Sequence, residues 1–175
     1  MTFGPRLIIN GFTLIVSAVT VALATASAAS EAGHETIGIY ASTMTNAMPT
    51  LARGQEEMEK DCGSLSGPSG VKECIHGLES GAASVRIVRS RMSNLKIPDC
   101  FRDVDAKLRS ALGRLQDGYS KAQKGLIAWM PVGEVMPVQD MDVMYSGMRD
   151  IEIGDQKLNE AIELLKKAMV TCQAQ

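Results

Sequence analysis

The sequence predicts an all-α protein, an up-down-up-down antiparallel four-helix bundle with two disulfides, preceded by an N-terminal signal peptide. Three observations support this fold class. After residue 30 the apolar residues recur every three or four positions, which is helical spacing, and no alternating strand pattern persists. The segments between the helical stretches are short, so consecutive helices should be antiparallel neighbours. The four cysteines fall at the ends of the predicted helices.

The N-terminal segment has the pattern of a secretory signal. It begins with one basic residue, Arg6, continues with an apolar stretch and ends at Ala26-Ser27-Ala28, a small-x-small sequence typical of signal-peptidase cleavage. We therefore predict a signal peptide over residues 1–28 and a bundle domain over residues 29–175. The alternative is an uncleaved membrane anchor, because residues 7–29 are long enough to span a bilayer.

The four helices are predicted over residues of about 31–61, 71–96, 99–130 and 139–172. Pro49 is expected to kink or divide the first helix, and Asp99 is expected to be the N-cap of the third. Each helix has an apolar stripe that should form the core, and the stripes of the third and fourth repeat every seven residues. The stripes are Ile37, Tyr40, Met44, Met48, Leu51 and Met58; Cys74, Leu78, Val85, Val88, Met92 and Leu95; Phe101, Leu108, Leu115, Ala122 and Trp129; and Met144, Ile151, Leu158, Leu165 and Cys172.

The predicted topology selects one of the three possible disulfide pairings. Cys62 and Cys74 lie at one end of the bundle, where the first helix ends and the second begins, whereas Cys100 and Cys172 lie at the other. A disulfide needs Cα atoms within about 7 Å, which no pairing between opposite ends could satisfy. We therefore predict Cys62–Cys74 and Cys100–Cys172.

The second predicted disulfide also suggests a register between the third and fourth helices. If Cys100 lies opposite Cys172, Gly118 lies opposite Gly154 and Gly125 lies opposite Gly147. Glycine costs about 1 kcal/mol in a helix interior, so glycines in facing positions indicate a close approach of two backbones.

Composition and motifs argue against catalysis and against nucleic-acid binding. The formal net charge is −2 and the isoelectric point is about 5.7, which excludes a strongly basic nucleic-acid binder. The chain has two histidines, and its four cysteines are all assigned to disulfides, so few nucleophiles or bases remain. No zinc-protease, nucleophile-elbow or phosphate-loop motif occurs in the sequence. We predict no catalytic residue, no cofactor and a non-enzymatic protein.

Charge is divided along the second half of the sequence. Residues 86–124 contain ten basic and four acidic side chains, whereas residues 125–163 contain two basic and eight acidic ones. The favoured interpretation is that the third helix forms ion pairs with the fourth. The alternative is that basic residues toward one end bind an anionic surface. These residues are Arg86, Arg89, Arg91, Lys96, Arg102 and Arg109.

Two groups of residues near the third connection are candidate binding sites. The connection is mostly apolar, so it either seals the end of the bundle or contacts a partner protein. The candidate partner-binding residues are Trp129, Met130, Val132, Val135, Met136 and Tyr145. Met141, Met144 and Met148 share one helix face and could offer thioether ligands to Cu(I). Methionine more often fills gaps in a core, and Met144 belongs to the core repeat, so tight copper binding is not expected.

The sequence therefore predicts an exported, periplasmic or extracellular helical-bundle protein that binds another protein or an anionic surface. One alternative is a periplasmic copper-binding protein that uses the methionine cluster. Another is an extracellular sensor domain held at the membrane by residues 7–29, and contact with a membrane is expected only in that case.

Overall fold

The computed structural model describes residues 31–63, 65, 67–130 and 138–173. The predicted signal peptide, residues 1–28, and most of the third connection, residues 131–137, lie outside the described residues. Within the described residues, no helix combines the length and the apolar character that crossing a membrane requires.

The chain forms the predicted antiparallel four-helix bundle. The elements are α1 (Glu31–Cys62), α2 (Gly67–Ser93), a 3₁₀ turn (Asp99–Phe101), α3 (Arg102–Trp129) and α4 (Val138–Gln173). At 1.5 Å per residue the helices are roughly 40–55 Å long. We call the end with the C-terminus of α1 and the N-terminus of α4 the upper end, and the opposite end the lower end.

Two details of the helix boundaries differ from their predictions: α2 begins and ends three to four residues earlier than predicted, and Asp99 is not the cap of α3. Pro49 lies inside α1, as predicted, and does not divide it, because the buried residues Met48 and Leu51 on either side both belong to the same core. The favourable burial of this stripe offsets the hydrogen bond that proline removes. Asp99 does not cap α3: it lies in the 3₁₀ turn and forms an ion pair of 2.7 Å with Arg102.

The apolar stripes form one continuous core, as predicted. All but a few of the predicted stripe residues are buried, and the exceptions, Ile37, Leu95 and Trp129, are partly buried and pack against the same core. Tyr40 stacks on Phe101 with ring centroids 4.9 Å apart. This contact attaches the lower part of α1 to the 3₁₀ turn that precedes α3.

The two disulfides are those predicted. Cys62–Cys74 joins α1 to α2 at the upper end, and Cys100–Cys172 joins the 3₁₀ turn to α4 at the lower end. The helix pairs with extensive close packing are α1 with α2, α2 with α3, and α3 with α4, whereas α1 and α4 make far less backbone contact. The bundle therefore consists of two antiparallel helix pairs, each closed by a disulfide and joined through α2 and α3.

The predicted register between α3 and α4 is wrong by three to seven residues, which is one to two helical turns. Gly118 faces Gly147 and Ile151 instead of Gly154, and Gly154 faces Leu115. The reason is the position of Cys100, which lies in the 3₁₀ turn before α3 begins. A disulfide at that position does not require the two helices to continue in the same register.

Four glycines nevertheless mark a close approach of the two backbones, although most of their nearest neighbours are backbone atoms or larger residues: Gly118 and Gly125 of α3, and Gly147 and Gly154 of α4. A Cβ atom added to Gly118 would lie 2.7 Å from the backbone nitrogen of Ile151. One added to Gly147 would lie 2.7 Å from the carbonyl oxygen of Gly118 and 2.8 Å from the Cα of Ala122. Because these obstacles are backbone atoms, no side-chain rotation could make room for them.

We predict that Gly147→Ala destabilises the protein and that Gly113→Ala, on α3, does not. The methyl group at position 147 meets backbone, so the free energy of unfolding should fall by about 2–3 kcal/mol. At position 113 nothing lies within 4 Å, so alanine should raise the free energy of unfolding by about 0.5–1 kcal/mol through helix propensity. Urea unfolding measures both values, and equal effects of the two substitutions would contradict the assigned contact.

Candidate functional site

The upper end of the α3–α4 pair carries a concentration of exposed apolar side chains. Eight large hydrophobic residues are exposed in the described residues, and five of them lie between positions 127 and 145. The last turn of α3 and the N-terminal half of α4 contribute them, and these segments meet at the upper end because the helices are antiparallel. We call this set the apolar end: Ile127, Met130, Val138, Val143 and Tyr145.

The predicted partner-binding residues divide into three groups. Met130 and Tyr145 are exposed by 43% and 38% and belong to the apolar end. Trp129 is partly buried and packs against the core, and its indole Nε1 has no hydrogen-bond acceptor among the described residues. The remaining three, Val132, Val135 and Met136, lie outside the described residues. Sequence reasoning missed Ile127, Val138 and Val143, which it did not distinguish from ordinary positions of amphipathic helices.

The methionine cluster lies partly in the core. Met144 is only 4% exposed, and a Cβ on Gly125 would lie 2.8 Å from the Cβ of Met144, so this side chain fills the space beside the glycine. Met141 and Met148 are partly buried and also pack against the core. The thioethers of these residues therefore contribute apolar contacts to the α3–α4 pair.

Ion pairs connect basic α3 to acidic α4. Asp150 of α4 is buried and accepts hydrogen bonds from Arg114, at 2.9 Å, and from Lys121. The hydrogen bond from Lys121 is the main cause that holds the pKa of Asp150 below its usual range. Lys107 and Glu160 form a third pair at 3.5 Å. The division of charge along the sequence thus corresponds to contacts between two packed helices.

Three of the six basic residues considered for binding an anionic surface already form hydrogen bonds or ion pairs within the bundle. Arg102 pairs with Asp99, and an Nη1 of Arg91 donates to the carbonyl oxygen of Asn46 at 3.4 Å. Arg109 donates to Asp105 at 2.6 Å and to the carbonyl oxygen of Met92 at 3.1 Å. The other three residues, which are exposed, are Arg86, Arg89 and Lys96.

A buried polar network fixes the lower end. The Tyr40 hydroxyl of α1 donates to the Asp105 carboxylate of α3 at 3.3 Å, and Arg109 pairs with the other oxygen of the same carboxylate. Burial, and secondly the charge of Asp105, raise the pKa of Tyr40, so the phenol stays protonated. The network satisfies the buried carboxylate and holds α1, α2 and α3 together at this end.

A second group of polar residues faces the α1–α4 seam farther up the bundle. The Gln55 amide of α1 donates a hydrogen bond to Asp155 of α4. Burial, and secondly the charge of Glu59, raise the pKa of Asp155 to about 7. Burial, and secondly the charges of Asp155 and Glu59, raise the pKa of Tyr119 of α3, which is almost fully buried. We call Gln55, Glu59, Tyr119 and Asp155 the carboxylate seam.

Sequence reasoning did not find the carboxylate seam. Asp155 follows a core glycine, and Glu59 follows the core residue Met58, so both have the spacing of ordinary solvent-facing positions. Glu59 acts on Asp155 only because α1 and α4 lie side by side in the fold, and these two helices are distant in sequence. Of the sequence-predicted residues, none belongs to this group.

His76 of α2 also has a partner that the sequence did not indicate. Its Nδ1 lies 3.0 Å from a carboxylate oxygen of Asp61 on α1, close to the disulfide Cys62–Cys74. The hydrogen bond to Asp61 is the main cause that raises the pKa of His76. The contact is exposed and joins two helices that the disulfide already connects.

Comparison with protein-family models, with curated proteins and with solved structures found no match to this chain.

We predict that the free energy of unfolding falls as the pH rises from about 4 to about 7. A carboxyl group with a raised pKa in the folded state stabilises the fold while it is protonated, and this contribution is lost as the pH rises through the folded-state pKa. For Asp155, with a pKa of about 7, the loss should be roughly a few kcal/mol.

Asp155→Asn should flatten this dependence, because the amide cannot ionise. Asp142→Asn, an exposed position on the same helix, provides the control and should keep the wild-type profile. Urea unfolding at a series of pH values measures the effect. A profile that rises with pH over this interval in the wild-type protein would contradict the prediction.

We predict that the folded protein does not bind Cu(I) tightly, because Met144 would have to leave the core to present its sulfur atom. Anaerobic titration against a competing Cu(I) chelator measures the affinity. Stoichiometric binding that disappears in the double variant Met141→Leu/Met148→Leu would instead establish a copper site.

Proposed function

We propose that the protein is an exported, non-enzymatic binding protein that contacts a partner protein through the apolar end. One observation carries the proposal, namely the concentration of exposed apolar side chains at the upper end of α3 and α4. Exposed apolar patches on a folded domain mark interaction surfaces more often than scattered single residues do. Val138, exposed by 75%, is the most accessible residue of this set.

The chemistry of the apolar end favours a partner protein with an apolar centre and a basic rim. Met130 and Tyr145 are residue types that are enriched at protein interfaces. Asp140, in the first turn of α4, and the exposed Asp142 place negative charge among the apolar residues. Complementary positive charge on the partner would guide association, and burial of the apolar side chains would supply most of the affinity.

Rigidity of the supporting helices favours binding over catalysis. The apolar end projects from two helices whose backbones are in close contact at Gly118 and Gly147, so little ordering is required on association. The absence of catalytic motifs from the sequence supports a non-enzymatic role.

Export is supported by two features of the chain. Both disulfides occur where the topology places their cysteines together, and such bonds persist mainly in oxidising compartments. The N-terminal segment has the pattern of a cleavable signal. Cell fractionation followed by N-terminal sequencing tests this part of the proposal. The expected mature protein begins near residue 29 and is found outside the cytoplasm.

Site-specific photo-crosslinking tests the proposed binding surface. A photoreactive residue at Val138 should give a discrete protein adduct in the native host, whereas one at Val170, which is exposed by 71% near the lower end of α4, should not. Met130→Glu should abolish the adduct at position 138, because it adds a charge to the apolar contact. Identical adducts at both positions, or insensitivity to Met130→Glu, would refute the assignment of the surface.

A further inference from the structure

The lower parts of α1 and α2 together form a surface without acidic side chains. No aspartate or glutamate occurs in residues 36–55 of α1, or in residues 80–98, which include the lower part of α2 and the connection after it. The two segments lie side by side, because the helices are antiparallel and Arg91 donates to the carbonyl oxygen of Asn46. We call their exposed cations and isoleucines the basic face: Ile39, Arg53, Arg86, Ile87, Arg89, Arg91 and Lys96.

The positive charge of the basic face is not balanced within the described part of the chain. All five of its cations are exposed, and none of them forms an ion pair with a described residue. Arg91 donates only to a neutral carbonyl oxygen. Arg86, at the upper border, lines a surface groove with Glu57 and Glu79, but both of these carboxylates accept hydrogen bonds from neutral side chains instead.

Pairing between α3 and α4 does not account for these cations. The α3 cations Lys107, Arg114 and Lys121 are bound to carboxylates of α4, which explains why α3 is basic. The cations of the basic face belong to α1, α2 and the connection after α2, and no acidic helix lies against them. Like charges close together on a helix surface repel one another, so an unbalanced group of them favours an anionic ligand.

Exposed aliphatic side chains accompany the cations. Ile39 is exposed by 50% and Ile87 by 45%, and among the described residues of α1 and α2 they are the exposed large hydrophobic ones. Ile87 lies between Arg86 and Arg89 in the sequence of α2. A soluble acidic polymer would need the cations alone. Cations combined with exposed aliphatic side chains on a helical surface are typical of proteins that lie on anionic lipid.

We propose that the basic face binds the surface of an anionic phospholipid membrane. Its cations would contact the headgroup phosphates, and Ile39 and Ile87 would enter the boundary between headgroups and acyl chains. The contact does not require residues 7–29. The α3–α4 pair packs behind the α1–α2 pair, so the apolar end stays accessible to a partner protein while the basic face is bound.

Co-sedimentation of the exported protein with lipid vesicles tests the proposal. Vesicles of phosphatidylglycerol and phosphatidylcholine in equal parts should bind the protein about ten-fold or more tightly than vesicles of phosphatidylcholine alone. Raising the NaCl concentration from about 0.05 M to about 0.5 M should weaken this binding, because salt screens the charges. Equal binding to the two kinds of vesicle, or no binding to the anionic ones, would overturn the proposal.

Charge reversal on the basic face makes the test specific. The double variant Arg89→Glu/Lys96→Glu should bind anionic vesicles about ten-fold or more weakly than the wild-type protein. The matched control, Lys124→Glu/Arg149→Glu, makes the same change in net charge at exposed positions of α3 and α4 and should bind as the wild-type protein does. Equal losses in the two double variants would show that net charge alone controls binding, and would refute the assignment of the surface.

An uncharged substitution separates a membrane from a soluble polyanion. Ile87→Gln should weaken binding to anionic vesicles about three-fold or more, because less apolar surface is buried, whereas Val170→Gln on α4 should have no effect. Polyglutamate that binds as tightly as the vesicles, together with insensitivity to Ile87→Gln, would identify an acidic polymer as the ligand and overturn the proposal. None of these positions belongs to the apolar end, so a failure here leaves the photo-crosslinking result unaffected.

Discussion

The close approach of α3 and α4 is the constraint on which the rest of the bundle depends. Gly118 and Gly147 bring the two backbones into direct contact, and the neighbouring glycines receive the side chains of Met144 and Leu115. This arrangement allows Arg114 and Lys121 to reach Asp150 across the contact. The apolar end is rigid for the same reason, because it projects from the upper ends of these two helices. A wider separation of α3 from α4 would therefore weaken the packing of the two helices, the ion pairs of Asp150 and the rigidity of the apolar end together.

The sequence predicted the elements and the core well, because both depend on local periodicity. A residue that recurs every three, four or seven positions on an apolar stripe is buried wherever its helix packs, so Met144, Ile151 and Leu158 could be assigned without knowledge of their partners. The disulfides could be predicted because the topology left one pairing in reach. The core and the cysteines thus follow from patterns that each helix carries by itself.

Contacts between helices were predicted less well, because they depend on how the helices slide and rotate. The assumption that Cys100 and Cys172 fix the register failed, since Cys100 lies in a 3₁₀ turn that precedes α3. Small residues also face large ones: Gly81 of α2, for example, leaves room for the ring of Tyr119. The seam residue Asp155 has the sequence spacing of a surface position, and its burial, together with the charge of Glu59, distinguishes it from an ordinary exposed aspartate.

The lower end and the carboxylate seam accommodate their carboxyl groups in different ways. At the lower end both oxygens of the Asp105 carboxylate have partners within the fold, since one accepts a hydrogen bond from Tyr40 and the other pairs with Arg109. In the carboxylate seam Asp155 has the amide of Gln55 and the repulsion of Glu59, so its ionised form is not satisfied. A charge with a counter-ion holds helices together, whereas a charge without one favours a hydrated arrangement. The polar contact between Gln55 and Asp155 therefore contributes less to joining α1 and α4 than the ion-paired network at the lower end contributes to joining α1, α2 and α3.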